Sequence, residues 1–179
     1  MKTQFTALPT DVTGCHLVGI DLGYSSGKKT CGIAVAGEFS DDCTFGECID
    51  RTRQAIRDAS GRPVLLVVEA VLSTRHAQSG NPARRGEFEQ GREWYRQPGV
   101  CTFASALRFV DQLRPILRGA TEVYIAEAFL SNKKSRTRHR DDAARIASEF
   151  WRAVPASIES GVEPASPYVA GVPPIRVLL

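Results

Sequence analysis

The run Val64-Leu-Leu-Val-Val-Glu-Ala-Val-Leu72 constrains the fold of this chain more than any other stretch. Consecutive side chains of a strand point to opposite faces, so a continuous branched apolar run needs cover on both and belongs at the centre of a sheet. A sheet covered on both faces by helices is an α/β arrangement. The remaining segments supply its parts. Residues 16–23 read as a strand ending in a Gly-rich turn from Gly23 to Gly27, and residues 31–36 as a second strand at hairpin distance. Residues 44–48 read as a weaker third strand. A helix is expected over residues 49–59, with Asp50 placed to cap it and Gly61 to Pro63 to stop it.

Beyond the central run, Phe103, Ala106, Leu107, Val110, Leu113 and Leu117 predict a helix over residues 101–118, kinked at Pro115. A strand follows over residues 122–130. The last helix is expected over residues 139–153, where Ala143, Ile146, Ala147, Phe150 and Val154 repeat at three and four. Residues 73–99 hold five arginines and three glutamates, long and polar for a connection inside a domain, and read as a functional or mobile insert. Five of the ten prolines fall from Pro155 onward. The expected organisation is one domain over residues 1–153 and a Pro-rich C-terminal arm over residues 154–179.

A chain of 179 residues can bury ~70% of its unfolded surface in a single core without staples. Lys and Arg number 23 against 20 for Asp and Glu, a net charge of +3 that by itself implies no partner. The five cysteines contain no C-x-x-C pair and leave an odd one over, which argues against a zinc cage or a disulfide framework. Reduced thiols, no membrane-length apolar run and no apolar leader at the start of the sequence place the expectation in the cytoplasm.

Acids stand where burial is expensive. Asp21 interrupts Val18-Gly-Ile-Asp-Leu22, and Glu69 sits within the most apolar strand. A buried carboxylate costs several kcal/mol unless a cation, donors or a proton accompany it. A third acidic station is His139-Arg-Asp-Asp-Ala143, where helical spacing puts His139 and Asp142 on one face and turns Asp141 about 100° away.

Together, Gly19-Ile-Asp-Leu-Gly23, Val67-Val-Glu69 and His139-Arg-Asp-Asp-Ala143 resemble the motifs of the ribonuclease H-like superfamily. Within it they look like the RuvC-type resolvases and an uncharacterised family of RuvC-like nucleases. The resemblance covers residues from about 15 to 153 and implies a ribonuclease H-like fold: a central mixed sheet of about five strands flanked by helices. It implies that Asp21, Glu69 and Asp142 bind Mg2+ or Mn2+, with His139 as a fourth ligand or proton-transfer group. It also implies a nuclease that hydrolyses phosphodiester bonds of DNA or RNA by a two-metal mechanism. Glu127, in the fifth strand, and Asp141 are additional candidates. The insert and the Pro-rich tail depart from the resolvase pattern.

Each residue also has a plainer reading. Asp21 could bond the turn that follows it, Glu69 and Glu127 could pair with arginines, and His139, Asp141 and Asp142 could simply cap a helix and complement its dipole. Lys133, Lys134, Arg136, Arg138 and Arg140, with Arg84 and Arg85 of the insert, are the candidate phosphate contacts. Trp94 and Tyr95 add faces suited to base stacking. The alternatives are a solvated loop for the first group and a lid or partner surface for the second.

Two rival functions follow from the same residues. A ribonuclease H-like domain can serve as a binding or assembly module without catalysis. The Gly19 to Ser26 hairpin with Lys28 and Lys29 also looks like the first phosphate-binding hairpin of actin-like ATPases and sugar kinases, whose activity would be phosphotransfer. The partners called for are nucleic acid, with no membrane and with a homodimer left open.

Overall fold

A computed structural model describes residues 14–35, 37–72, 74–86, 89–117, 122–130, 137–159 and 175–178. It is an α/β structure with a mixed sheet flanked by helices. The strands are β1 (His16–Asp21), β2 (Cys31–Val35), β3 (Phe39–Cys43), β4 (Val64–Glu69), β5 (Val123–Phe129) and β6 (Ile175–Leu178). The helices are α1 (Phe45–Asp58), α2 (Gly99–Leu117) and α3 (His139–Glu159). The sheet order is β3-β2-β1-β4-β5-β6. The β1, β2 and β3 meander is antiparallel, whereas β4 lies parallel to β1, β5 to β4 and β6 to β5.

The apolar run does lie in the middle, with β4 buried throughout except at Glu69. Its alternate residues serve two cores. Val64, Leu66 and Val68 join Val18, Ile20, Ile56, Phe109 and Leu113 on the face that carries α1 and α2. Leu65 and Val67 join Leu17, Ala126, Ala128, Ala143, Ile146 and Ala147 on the face that carries α3. Two strand glycines let α3 lie close to the sheet. A Cβ on Gly19 would overlap the Ala143 carbonyl, and one on Gly32 would overlap the His139 carbonyl.

Several boundaries differ from the sequence expectation. The third strand is Phe39–Cys43, and residues 44–48 instead begin α1. Thr44 rather than Asp50 caps that helix. It forms a capping box in which the Glu47 N–H donates to Thr44 Oγ1 at 3.3 Å and the Thr44 N–H to Glu47 Oε2 at 2.8 Å. Helix α2 continues past Pro115 to Leu117, and having no N–H, Pro115 leaves the Asp111 carbonyl without its helical donor. Helix α3 continues through Pro155 to Glu159. Four residues of the expected arm join the sheet as β6, because the outer edge of β5 offers unpaired main-chain donors and acceptors.

The insert is organised by its own bonds. Its chain reverses at Gly80, whose φ is +84°, and is closed by Ala77 N–H to Asn81 O at 2.8 Å and Ala83 N–H to Arg75 O at 2.9 Å. The Trp94 indole N–H donates to Ala83 O at 2.9 Å, and its ring meets those of His76 and Tyr95 edge-on. Arg92 reaches the Leu130 carbonyl at 3.4 Å, which fastens the insert to the end of β5.

Candidate metal centre

The centre begins with a matter of register. Asp21 and Glu69 are the last residues of two adjacent parallel strands and are direct partners in the β1–β4 ladder. Residues in register share a face, and here it is the face that α3 covers. Gly32 is the partner of Asp21 on the other side, and the space it leaves admits the first turn of α3. Asp142, on that turn, completes the group: one carboxylate oxygen each from Asp21, Glu69 and Asp142 lie within 4.8 Å of one another. Asp21 and Asp142 are buried and Glu69 is half-buried.

Asp142 and Asp21 are each held from outside the group. The Thr137 hydroxyl donates to Asp142 Oδ1 at 2.7 Å, and the Asp142 N–H to the Arg138 carbonyl at 3.2 Å. His139 Nδ1 lies 2.7 Å from Asp21 Oδ2. That hydrogen bond raises the His139 pKa above its ordinary value. Partial burial opposes the shift, and the charges of Asp21 and Asp42 reinforce it. The positive end of the α3 dipole also favours negative charge beside its first turn.

Asp42 is a participant that the sequence reading missed. Its Oδ1 accepts the Arg140 N–H at 2.8 Å and so caps α3 from a neighbouring strand. Asp42 pairs with Gly32, which pairs with Asp21, which pairs with Glu69, so one row across three strand pairs both supports the helix and supplies two acids. Its sequence signal is the acidic doublet Asp41-Asp42. The other member, Asp41, projects the opposite way and pairs with Arg51 at 2.6 Å, which holds its carboxyl below the usual range.

Other candidates fall elsewhere. Asp141 is exposed, with Arg140 3.7 Å away, and lies outside the group. Glu127 is one position out of register with Glu69, its partner being Val68, so it emerges on the opposite face of the sheet. There it is fully buried and paired with Arg85. The same guanidinium meets Glu89 at 2.6 Å and lies over the Phe129 ring, 4.7 Å from its centroid. Arg85 is therefore not a phosphate contact: a buried carboxylate on β5 claims it, and its side chain is 1% exposed. Arg84 and Arg138 are exposed and Arg140 half-buried. Lys133, Lys134 and Arg136 lie outside the described residues.

Beneath the β1–β2 loop, Cys31, Cys43 and Cys48 are buried thiols. Cys31 donates to the Gly23 carbonyl at 3.1 Å. Hydrogen bonds to Cys31 and Cys43, with burial, push the Cys48 thiol well up, which makes it a poor nucleophile.

Three carboxylates this close repel one another unless cations or protons share the site. An all-oxygen acidic donor set on two strand ends and a helix suits a hard divalent cation better than a soft one. The cluster could hold a metal ion. Comparison of the chain with protein-family models, curated proteins and solved structures finds no match. No helix among the described residues is long and apolar enough to cross a membrane.

Proposed function

We propose that this chain is a metal-dependent phosphodiesterase acting on nucleic acid, with a ribonuclease H-like arrangement of its acids. The observation that carries the reading is the convergence of Asp21, Glu69 and Asp142 oxygens within 4.8 Å at the carboxyl ends of two central parallel strands. Asp21, Glu69 and Asp142 would hold Mg2+ or Mn2+, which supplies the Lewis acidity that phosphodiester hydrolysis requires. Asp21 and Glu69 stand on strands that cannot shift without breaking the sheet, so the donor atoms are positioned before the ion arrives. Thr137 fixes the Asp142 carboxylate. His139, oriented by its bond to Asp21 and 42% exposed, can hold a proton at the edge of the site and exchange it with solvent.

The test is a panel of single-stranded, duplex and branched DNA and RNA incubated with Mg2+ or Mn2+, using wild type, Asp21→Asn and Glu69→Gln. Cleavage by wild type alone supports the reading. Full activity in both variants overturns the site. Manganese binding without cleavage of any substrate favours the non-catalytic module, and absence of metal binding removes the centre altogether.

A further inference from the structure

Tyr24 is 60% exposed, more than any other large hydrophobic side chain among the described residues. It stands three residues beyond Asp21, in the loop that leaves the carboxyl end of β1, so its Cα lies within about 11 Å of that of Asp21. The loop is shaped to hold it there. A Cβ on Gly23 would overlap the Thr30 carbonyl, so the two legs of the loop touch at its base. The Ser25 and Thr30 hydroxyls are 3.1 Å apart, the Thr30 N–H donates to the Lys28 carbonyl at 3.0 Å, and Gly27 turns the chain at a φ of +68°. Phe45, the first residue of α1, meets the Tyr24 ring edge-on at 5.0 Å. An aromatic ring is thus braced by Phe45 and left exposed on the loop that follows Asp21.

Charge on the same loop suits a polyanion. Lys28 and Lys29 are both exposed. A ring that offers a face can stack on a base only where that base has lost its own neighbour. In a continuous duplex both faces are already covered.

We infer that Tyr24 is a stacking platform for an unpaired nucleobase next to the scissile phosphate, with Lys28 on an adjoining phosphate, and that the substrate is single-stranded or locally unpaired nucleic acid. This deepens the phosphodiesterase reading and rests on it.

The test measures equilibrium binding of a fluorescein-labelled single-stranded oligonucleotide and of its duplex, with calcium to block turnover. The proteins are wild type, Tyr24→Ala, Tyr24→Phe and Lys28→Gln. Tyr24→Ala should weaken single-strand binding roughly 5- to 100-fold while Tyr24→Phe binds like wild type. Duplex affinity should be unchanged in both. Lys28→Gln should flatten the single-strand slope of log affinity against log salt by about 0.7, and Tyr24→Ala should leave it alone. Single-strand affinity unchanged in Tyr24→Ala, or an equal loss on duplex and single strand, overturns the platform. If wild type cleaves nucleic acid and Tyr24→Ala binds it normally, only this inference fails. If wild type binds single strands through Tyr24 and cleaves nothing with Mn2+, the platform stands and the phosphodiesterase reading fails.

Discussion

Gly32 lies so close to His139 that no side chain fits between β2 and the first turn of α3. The contact sets how deeply that turn settles over Asp21, and with it the distance of Asp142 from the two strand acids. Gly32→Ala should lift the turn. We expect a loss of about 1–3 kcal/mol of stability from overpacking and a loss of manganese affinity although every ligand is intact. Calorimetric titration and urea denaturation measure the two effects. Wild-type affinity in this variant would show that the packing does not position the centre.

Asp141 and Asp142 are neighbours of identical chemistry in different surroundings. Asp142→Asn should weaken metal binding by at least ~10-fold, on the scale seen when even outer partners of a metal site are removed. Asp141→Asn should leave affinity nearly unchanged, because the exposed Asp141 carboxylate is outside the cluster. Equal losses on titration would place the wrong acid in the centre.

Arg85 is held between Glu89 and Glu127 in the interior. Removing one partner of a buried pair strands a charge, so Arg85→Ala should destabilise the protein by about 3–5 kcal/mol. Denaturant midpoints report this directly. A surface arginine lost from a nucleic-acid contact would instead leave the midpoint in place and flatten the salt dependence of binding.

His16 gives stability a pH dependence. Burial lowers its pKa, outweighing the charges of Glu38 and Asp58, and Arg62 donates to its Nδ1 at 3.2 Å. Its Nε2 is buried without a hydrogen-bond partner among the described residues. The unfolded chain, with an ordinary value of about 6.5, binds the proton that the folded state resists. Stability from this group is therefore full above pH ~6.5 and falls as the pH drops below it. His139, whose pKa is raised, has the opposite sign: its contribution is present at low pH and fades as the pH rises through its folded value. The difference in denaturation midpoint between wild type and His16→Gln isolates the first effect. A difference independent of pH between 5 and about 7 would refute it.

Much of the architecture was legible because it is written in local periodicity. The run from Val64 must be covered twice, the acids at 21 and 69 interrupt apolar strands, and the repeat from Ala143 to Ala147 supplies the stripe that α3 lays on the sheet. Boundaries were less legible where two local signals competed. Residues 44–48 carry strand-forming residues, yet the reciprocal bond between Thr44 and Glu47 starts α1 there instead of at Asp50.

The sequence by itself determined that the sheet has a doubly buried centre, that two carboxylates interrupt apolar strands, and that His139 and Asp142 share a helix face, since alternation and helical phase follow from backbone geometry alone. Tertiary structure decided which acids meet. Glu127 and Glu69 both belong to largely apolar strands, yet their one-residue offset in register sends the first across the sheet to Arg85 and leaves the second facing α3. Asp42 became a helix cap only because the β2–β3 hairpin brings it beneath Arg140. Such pairings depend on strand order, register and the depth at which a helix packs. Those are set by contacts between residues far apart in the chain, which no local pattern encodes.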